Sequence, residues 1–260
     1  MGVKSHLVFL KAFYTNELAA TLEYRFNFIT QTASMFVNDL FWIFFWFIFF
    51  QRFESVGGWK FHDMMLLNAV FAGAWGLSMV FFGNWKNIAR IIEQGGLDYF
   101  LTLPKNVLLH VVVKMSYSGL GDFLFGLTLA AFALPLSKIP LYLFFLCTSL
   151  FVILGWGIFI GSLAFYFQHL EAIVRSLREG FLSLSFYPFS VYKGFTRFIL
   201  LVVIPAGFAA GIPVELLNTF SWKWFFLTTG FSITFFSLAV CFFYVGLRKY
   251  ESGNVMAMRG

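Results

Sequence analysis

Three places in the chain put ionisable side chains inside or at the edge of long apolar runs, where a charge is costly and marks a functional candidate. Asp122 lies well inside one run, flanked by Gly119, Gly121 and Gly126. Asp39 lies inside another, beside Asn38. Glu171, Arg175, Arg178 and Glu179 gather at the start of a third, where the four-residue spacings Glu171–Arg175 and Arg175–Glu179 allow salt bridges along one helix. The chemistry on offer is binding and passage rather than bond-making. Asp122 either lines a polar path or closes a hydrogen bond where glycines let two helices come close. The 171–179 cluster is a polar seam at the mouth of a path, a contact for a cytoplasmic partner, or a set of self-neutralised headgroup anchors.

Bond-making machinery is not written in the chain. There is no GxxxxGK[ST] stretch to cradle phosphates and no GxGxxG opening a helix after a strand. The histidines His6, His62, His110 and His169 form neither HExxH nor any pair at metal-ligand spacing. His169 and Glu171 make an isolated HxE whose side chains diverge on a helix. No cofactor or metal is therefore expected on this chain. A membrane-embedded transferase would have to use Glu171, His169 or Asp63 without a companion motif. A proton-coupled carrier would want Asp, Glu and His residues strung through several spans, or an inverted repeat with matching helix breaks, and neither pattern is present. Such a unit needs an external source of energy, or it is a non-enzymatic assembly or scaffold subunit.

The elements that hold these residues follow from composition. Of 260 residues, 60% are hydrophobic, 12% are charged and 40 are phenylalanine. A soluble domain carries about 25% charge, so a soluble enzyme, a disordered tail and a nucleic-acid-binding domain are excluded. An all-α integral membrane protein remains, in contact with lipid. Six apolar segments are long enough to cross about 30 Å of hydrocarbon: residues 26–50, 64–83, 108–134, 141–167, 172–189 and 224–247. The fifth is interrupted by charge. Residues 191–218, broken by Pro205 and Pro213, read as a re-entrant or interfacial pair of short helices. The net charge of +6 belongs to loops facing the cytoplasm. With the N-terminus inside, 12 of the 18 Lys and Arg fall on the cytoplasmic side, against Arg52, Lys60, Lys138, Lys193, Arg197 and Lys223 outside. That bias puts both termini in the cytoplasm. Cys147 and Cys241 lie in apolar runs and face lipid or core rather than each other. Lys4, Lys11, Glu17, Glu23 and Arg25 interrupt the first 25 residues, so a cleavable signal peptide is not expected.

Two stretches outside the spans carry a pattern of their own. In 5–24, Leu7, Leu10, Tyr14, Leu18 and Leu22 recur at helical spacing while Phe9 and Phe13 lie off that stripe. This reads as a helix on the inner membrane surface, or as an extension of the first span. In 85–94, Trp85, Ile88, Ile91 and Ile92 share one face, and Lys86, Arg90, Glu93 and Gln94 share the other. Gly95 and Gly96 stop that helix and Pro104 closes the segment. A short amphipathic helix fixed at both ends to spanning segments can act as a lever, or can simply tie the loop to the membrane.

Order and spacing together resemble an ABC-2 type permease, the membrane subunit of a bacterial ATP-binding-cassette exporter. The resemblance is carried by the basic amphipathic segment before the first span and by the loop Ile92-Glu93-Gln94-Gly95-Gly96-Leu97-Asp98-Tyr99-Phe100-Leu101-Thr102-Leu103-Pro104. Phe186-Tyr187-Pro188, Ile204-Pro205 and Gly211-Ile212-Pro213 follow between the last two spans. It implies six transmembrane helices with an interfacial N-terminal helix, and a cytoplasmic coupling helix between spans two and three. It also implies a re-entrant region between spans five and six, and a location in the bacterial inner membrane. By the same resemblance, the partners would be ATP-binding-cassette ATPase subunits, which hold ATP and magnesium, a second permease chain, equal or different, and membrane lipid. The coupling loop 85–104 would seat on the ATPase through Trp85, Ile88, Arg90, Glu93, Gly95, Gly96, Leu97 and Asp98. Exported substrates of this family are lipids, polysaccharides, drugs or peptides. No large extracellular domain separates the first two spans, which leaves access through the membrane-embedded part.

Overall fold

Lipid offers backbone amides and carbonyls no partner, so apolar runs of this length fold as helices that satisfy themselves. The computed structural model describes residues 3–104 and 106–250. Lys105 and Arg259, counted above for orientation, lie outside the described residues, as do the side chains of Lys4, Leu7 and Leu22. Among the described residues the regular structure is helical, apart from two isolated bridges. Four helices are long and apolar enough to cross a membrane: α2 (Arg25–Arg52), α3 (Phe61–Phe82), α8 (Ile139–Ser162, extended by a tight turn at each end) and α12 (Trp222–Leu247). The chain is an all-α membrane protein.

Two expected spans take a different form. The run 108–134 is not one helix but α6 (Val107–Val112) and α7 (Ser118–Ala133), joined by an extended strip. At about 1.5 Å per residue α7 covers roughly 24 Å, short of a full crossing. The strip is held against the end of α3: Gly83 N–H donates to Lys114 O at 2.8 Å and Ser116 N–H to Met79 O at 3.1 Å. The polar stretch Lys114-Met115-Ser116-Tyr117-Ser118 is where the helix gives way. In place of the run 172–189 stands α9 (Glu171–Ser185), 15 residues with charge along one side, too short and too polar to qualify as a span alone.

Between α9 and α12 the chain forms α10 (Gly194–Phe198) and a wide helical turn at Ile199–Val203. A second wide turn at Gly207–Gly211 then leads into α11 (Ile212–Asn218). The two arms are bent by 79°. Pro205 explains the break: it lacks a donor and forces Ile204, the residue before it, into extended backbone at φ −114°, ψ 94°.

Glycines set the distances between α2, α3 and α7. A Cβ at Gly126 would lie 2.6 Å from the Gly73 backbone, and one at Gly76 2.4 Å from the Phe123 amide. One at Gly121 would lie 2.3 Å from Thr32 O on α2. So Gly119 and Gly126 turn α7 onto α3, while Gly121 turns it onto α2. The Thr32 hydroxyl then donates to Tyr117 O at 3.2 Å. The N-terminal helix α1 (Val3–Glu23) packs inward through Phe9, Leu10, Phe13 and Tyr14, and Leu18 is exposed. Its buried stripe is thus shifted from the one expected, because it rests on protein: Phe9 meets the His110 ring and the Tyr14 hydroxyl donates to Phe81 O. Losing water there pushes the Tyr14 phenol up to about 12.

Filling the tightest of these contacts should cost stability. Gly126→Val forces α7 away from α3 and is expected to lose about 1–3 kcal/mol, read as a lower melting temperature in detergent. Gly180→Ala, where a Cβ meets nothing within 4 Å, is expected to melt no lower than the parent protein.

Candidate functional site

The amphipathic loop helix is built as its sequence pattern demands. A tight turn at Trp85–Asn87 runs into α4 (Ile88–Glu93). Trp85, Ile88 and Ile92 are buried, while Lys86, Arg90 and Gln94 are exposed. The helix ends on Gly95, whose φ of 71° is a left-handed cap that costs glycine little. After Gly96 the chain enters α5 (Leu97–Leu101), which buries Leu97, exposes Tyr99 and sets Asp98 beside Tyr250.

The buried face sits in a notch on α8. A Cβ at Gly157 would be 2.0 Å from the Trp85 ring, and one at Gly161 2.8 Å from Ile88 Cβ. Two glycines four apart, Gly157 and Gly161, thus form the seat for the loop helix. Trp85 is held from the other side by α3: its indole N–H donates to Ser78 Oγ at 3.3 Å, and its ring meets Trp75 edge-on at 5.5 Å.

Glu93, grouped by the helical pattern with the outward polar side chains, is half-buried and turned toward α9. Its Oε1 accepts from the Leu170 and Glu171 amides, the second at 3.2 Å. Those amides open α9, so the carboxylate satisfies donors left free at a helix start and meets the positive end of the helix dipole. The turn that aims them is made by His169 in left-handed backbone, φ 58°, a region in which His is enriched. A second tie runs from Arg178 Nη1 to Lys86 O at 3.3 Å. Glu171 pairs with Arg175 at 3.4 Å as the spacing allows. Glu179, however, pairs with its neighbour Arg178 at 2.9 Å and not with Arg175, because Arg178 is held back toward α4.

The result is a cleft of about 380 Å³ with Lys86, Arg90, Arg175 and Arg178 around it, against Glu171 and Glu179. Partial burial, then the Arg178 and Lys114 charges, pull the Lys86 ammonium below the usual lysine range.

Asp39 and Asp122 meet elsewhere. Both line a cavity of about 150 Å³ between α2, α3, α7 and α9, with Asn38, Trp42, Trp75 and Phe186. Asp39 is 6% exposed, and among the described residues its Oδ2 has no hydrogen-bond partner. The sequence singled out both carboxylates but not their meeting. Nor did it mark the capping role of Glu93. The Gly157-Ile158-Phe159-Ile160-Gly161 spacing was a legible signal for the notch, whereas nothing distinguishes Phe186 among 40 phenylalanines.

A family described as ABC-2 family transporter protein matches residues 36–254, most of the chain. No curated protein and no solved structure matches it.

Removing the Glu93 carboxylate should free the start of α9. In Glu93→Ala, hydrogen exchange at the Leu170 and Glu171 amides is expected to quicken about tenfold, the loss of about 1.4 kcal/mol from a charge-assisted hydrogen bond. Exchange mass spectrometry over 168–173 reads it, and unchanged protection there would remove Glu93 from this role.

Proposed function

The chain belongs to the ABC-2 transporter family, and on that premise we propose that it is a permease driven through its cytoplasmic loop by separate ATP-binding subunits. Family membership and the apolar helices make it a multi-pass membrane permease of an ABC transporter, a transport component rather than an enzyme. The finer reading is an exporter of an amphipathic or hydrophobic substrate in a bacterial inner membrane. It pairs with a second permease chain, and ATP with magnesium binds on the partner ATPase. Both termini face the cytoplasm.

One observation carries the reading. The loop helix α4, with the turn that leads into it, is exposed on the side of Lys86 and Arg90, yet is locked to three other helices by Trp85, Ile88 and Glu93. A push from a docked ATPase on the exposed side would therefore move α3, α8 and α9 together. Exposed Arg90 and Tyr99 would touch the ATPase, while Trp85, Ile88 and Leu97 transmit from inside.

Six crossings fit the way the ends assemble. Asn218 donates to Asp63 at 2.6 Å, His62 meets Ala133 O at 3.0 Å, and Ser190 lies against Gly57, which gathers one end. Glu93 with Glu171, and Tyr244 with Asn106, gather the other. The stretch from Glu171 to Ser190 thus runs from one end to the other as a fifth crossing. The α6–α7 pair does the same as a third. The bent pair α10–α11 leaves from and returns to the end marked by Gly57 and Asp63, as a re-entrant element does.

A tagged chain purified in mild detergent should bring an ATP-binding subunit in near-equal amount, identified by mass spectrometry. Arg90→Glu should cut that recovery at least fivefold while the chain stays inserted. A chain that purifies alone and remains folded would abandon the driven-permease reading in favour of a scaffold subunit.

A further inference from the structure

The cavity that holds Asp39 and Asp122 has an unusual composition for its place. Of the whole of α2, the buried residues are Asp39 and Trp46; the remainder of the helix is turned outward or lies part-covered. Asp39 stands at the middle of its 28 residues, so a carboxylate takes the inward position where an apolar side chain would cost nothing. A second carboxylate, Asp122, faces the same space from α7. No lysine, arginine or histidine is among the lining residues, and the salt bridges among the described residues lie at the cytoplasmic cluster. Asp39, buried, and Asp122, partly buried, thus face one space with no cationic side chain among its lining residues, an arrangement that a cation would complete.

The remaining walls say which cation. Trp42 and Phe186 lie stacked, centroids 5.8 Å apart and planes 2° from parallel, and Trp75 closes a further side. Aromatic faces beside carboxylates favour ammonium groups, whose charge is spread over an apolar shell. A hard divalent ion wants about six oxygens, and no group of three or more His, Cys, Asp or Glu gathers among the described residues. The volume, about 150 Å³, is well below the roughly 300–1,000 Å³ of a site that encloses a drug-sized molecule. It accommodates a headgroup, with the apolar tail left along the exposed phenylalanines of α2.

We propose that this cavity binds the ammonium head of a cationic amphipath, with Asp39 and Asp122 as counter-ions and Trp42, Trp75 and Phe186 as the aromatic wall. This names a substrate class for the transport function argued above and rests on it. Two of the walls are also tied to the loop helix: Trp75 meets Trp85, and α9 carries both Phe186, just past its end, and the amides capped by Glu93. Movement of α4 would thus reach the headgroup site directly.

The test uses the full chain in nanodiscs of phosphatidylglycerol with radiolabelled octyltrimethylammonium. Saturable binding is expected, displaced by unlabelled octyltrimethylammonium and not by octanol or octyl sulfate. Asp39→Asn and Asp122→Asn should each weaken it at least tenfold, while Glu54→Gln, at an exposed residue, leaves it unchanged. Equal competition by octanol, or undiminished binding in the Asp39→Asn/Asp122→Asn double variant, overturns the proposal and leaves the pair as a site of protonation only. If the variants do not fold, the parent protein still decides. Dicyclohexylcarbodiimide labelling of Asp39 or Asp122, mapped by mass spectrometry, should slow at least fivefold with octyltrimethylammonium and not with octanol; labelling unchanged by the cation overturns the assignment. Repeating the binding in phosphatidylethanolamine discs separates two sources of the same chemistry. Weaker probe binding supports the site as one filled by a lipid headgroup, and equal binding supports it as one for a free cationic amphipath. Because binding is read on this chain alone and the transport reading on ATPase recovery, either can fail without the other.

Discussion

Every amide and carbonyl at membrane depth must find its partner inside the protein, and the architecture follows from where this chain cannot meet that demand within one helix. The extended strip after α6 survives because α3 offers the carbonyl of Met79 and the amide of Gly83 to it. The break at Pro205 survives because the wide turn after it, Gly207–Gly211, packs against α3, α8 and α9, burying Phe208, Ala209 and Ala210. In both places irregular backbone is covered by helices, and at the strip beside α3 the close approach that cover needs is supplied by the glycines of α7 and α3.

The same close approach builds the loop helix into the membrane part. Six residues of α4 cannot hold themselves as a helix in water. They hold because Trp85 and Ile88 fill the Gly157–Gly161 notch and because the Glu93 carboxylate closes on the first amides of α9. These contacts differ in kind. The notch is a steric seat that carries compression, and the carboxylate is a directional tie that carries tension. The helix is thus held from two sides, by shape and by a directional bond.

Charge is arranged along the same axis. Lys86, Arg90, Arg175 and Arg178 crowd one end of the bundle with Glu171 and Glu179 against them. Asp39 and Asp122 stand apart in the cavity that α9 also walls. One helix therefore has a cationic end at the cleft beside α4 and an apolar end at the carboxylates. This joins two places that the primary structure keeps far apart.

Much of this was legible without coordinates, for a physical reason. Burial in lipid leaves a strong compositional mark, so the all-α membrane class, the spans at α2, α3, α8 and α12, and the two faces of the loop helix could be read from hydropathy and period alone. Proline breaks and Gly95 are equally local, since their backbone limits travel with the residue. Local pattern failed where a neighbour decided the outcome. The 108–134 run reads as one helix because nothing within it shows that α3 will pair with its backbone at Lys114. Phe9 and Phe13 lie off the expected stripe because α1 rests on His110 and Phe81. Glu93 looked like a solvated charge, and the α9 start it caps lies 77 positions away. The intramembrane aspartates were conspicuous by cost, but their meeting in one aromatic cavity depends on the packing of four helices. Composition and period thus determined the membrane class and the longest helices. Only the tertiary structure decided which segments touch, because contact distance in a lipid-embedded bundle is set by the shapes of facing side chains and not by the hydrophobicity they share.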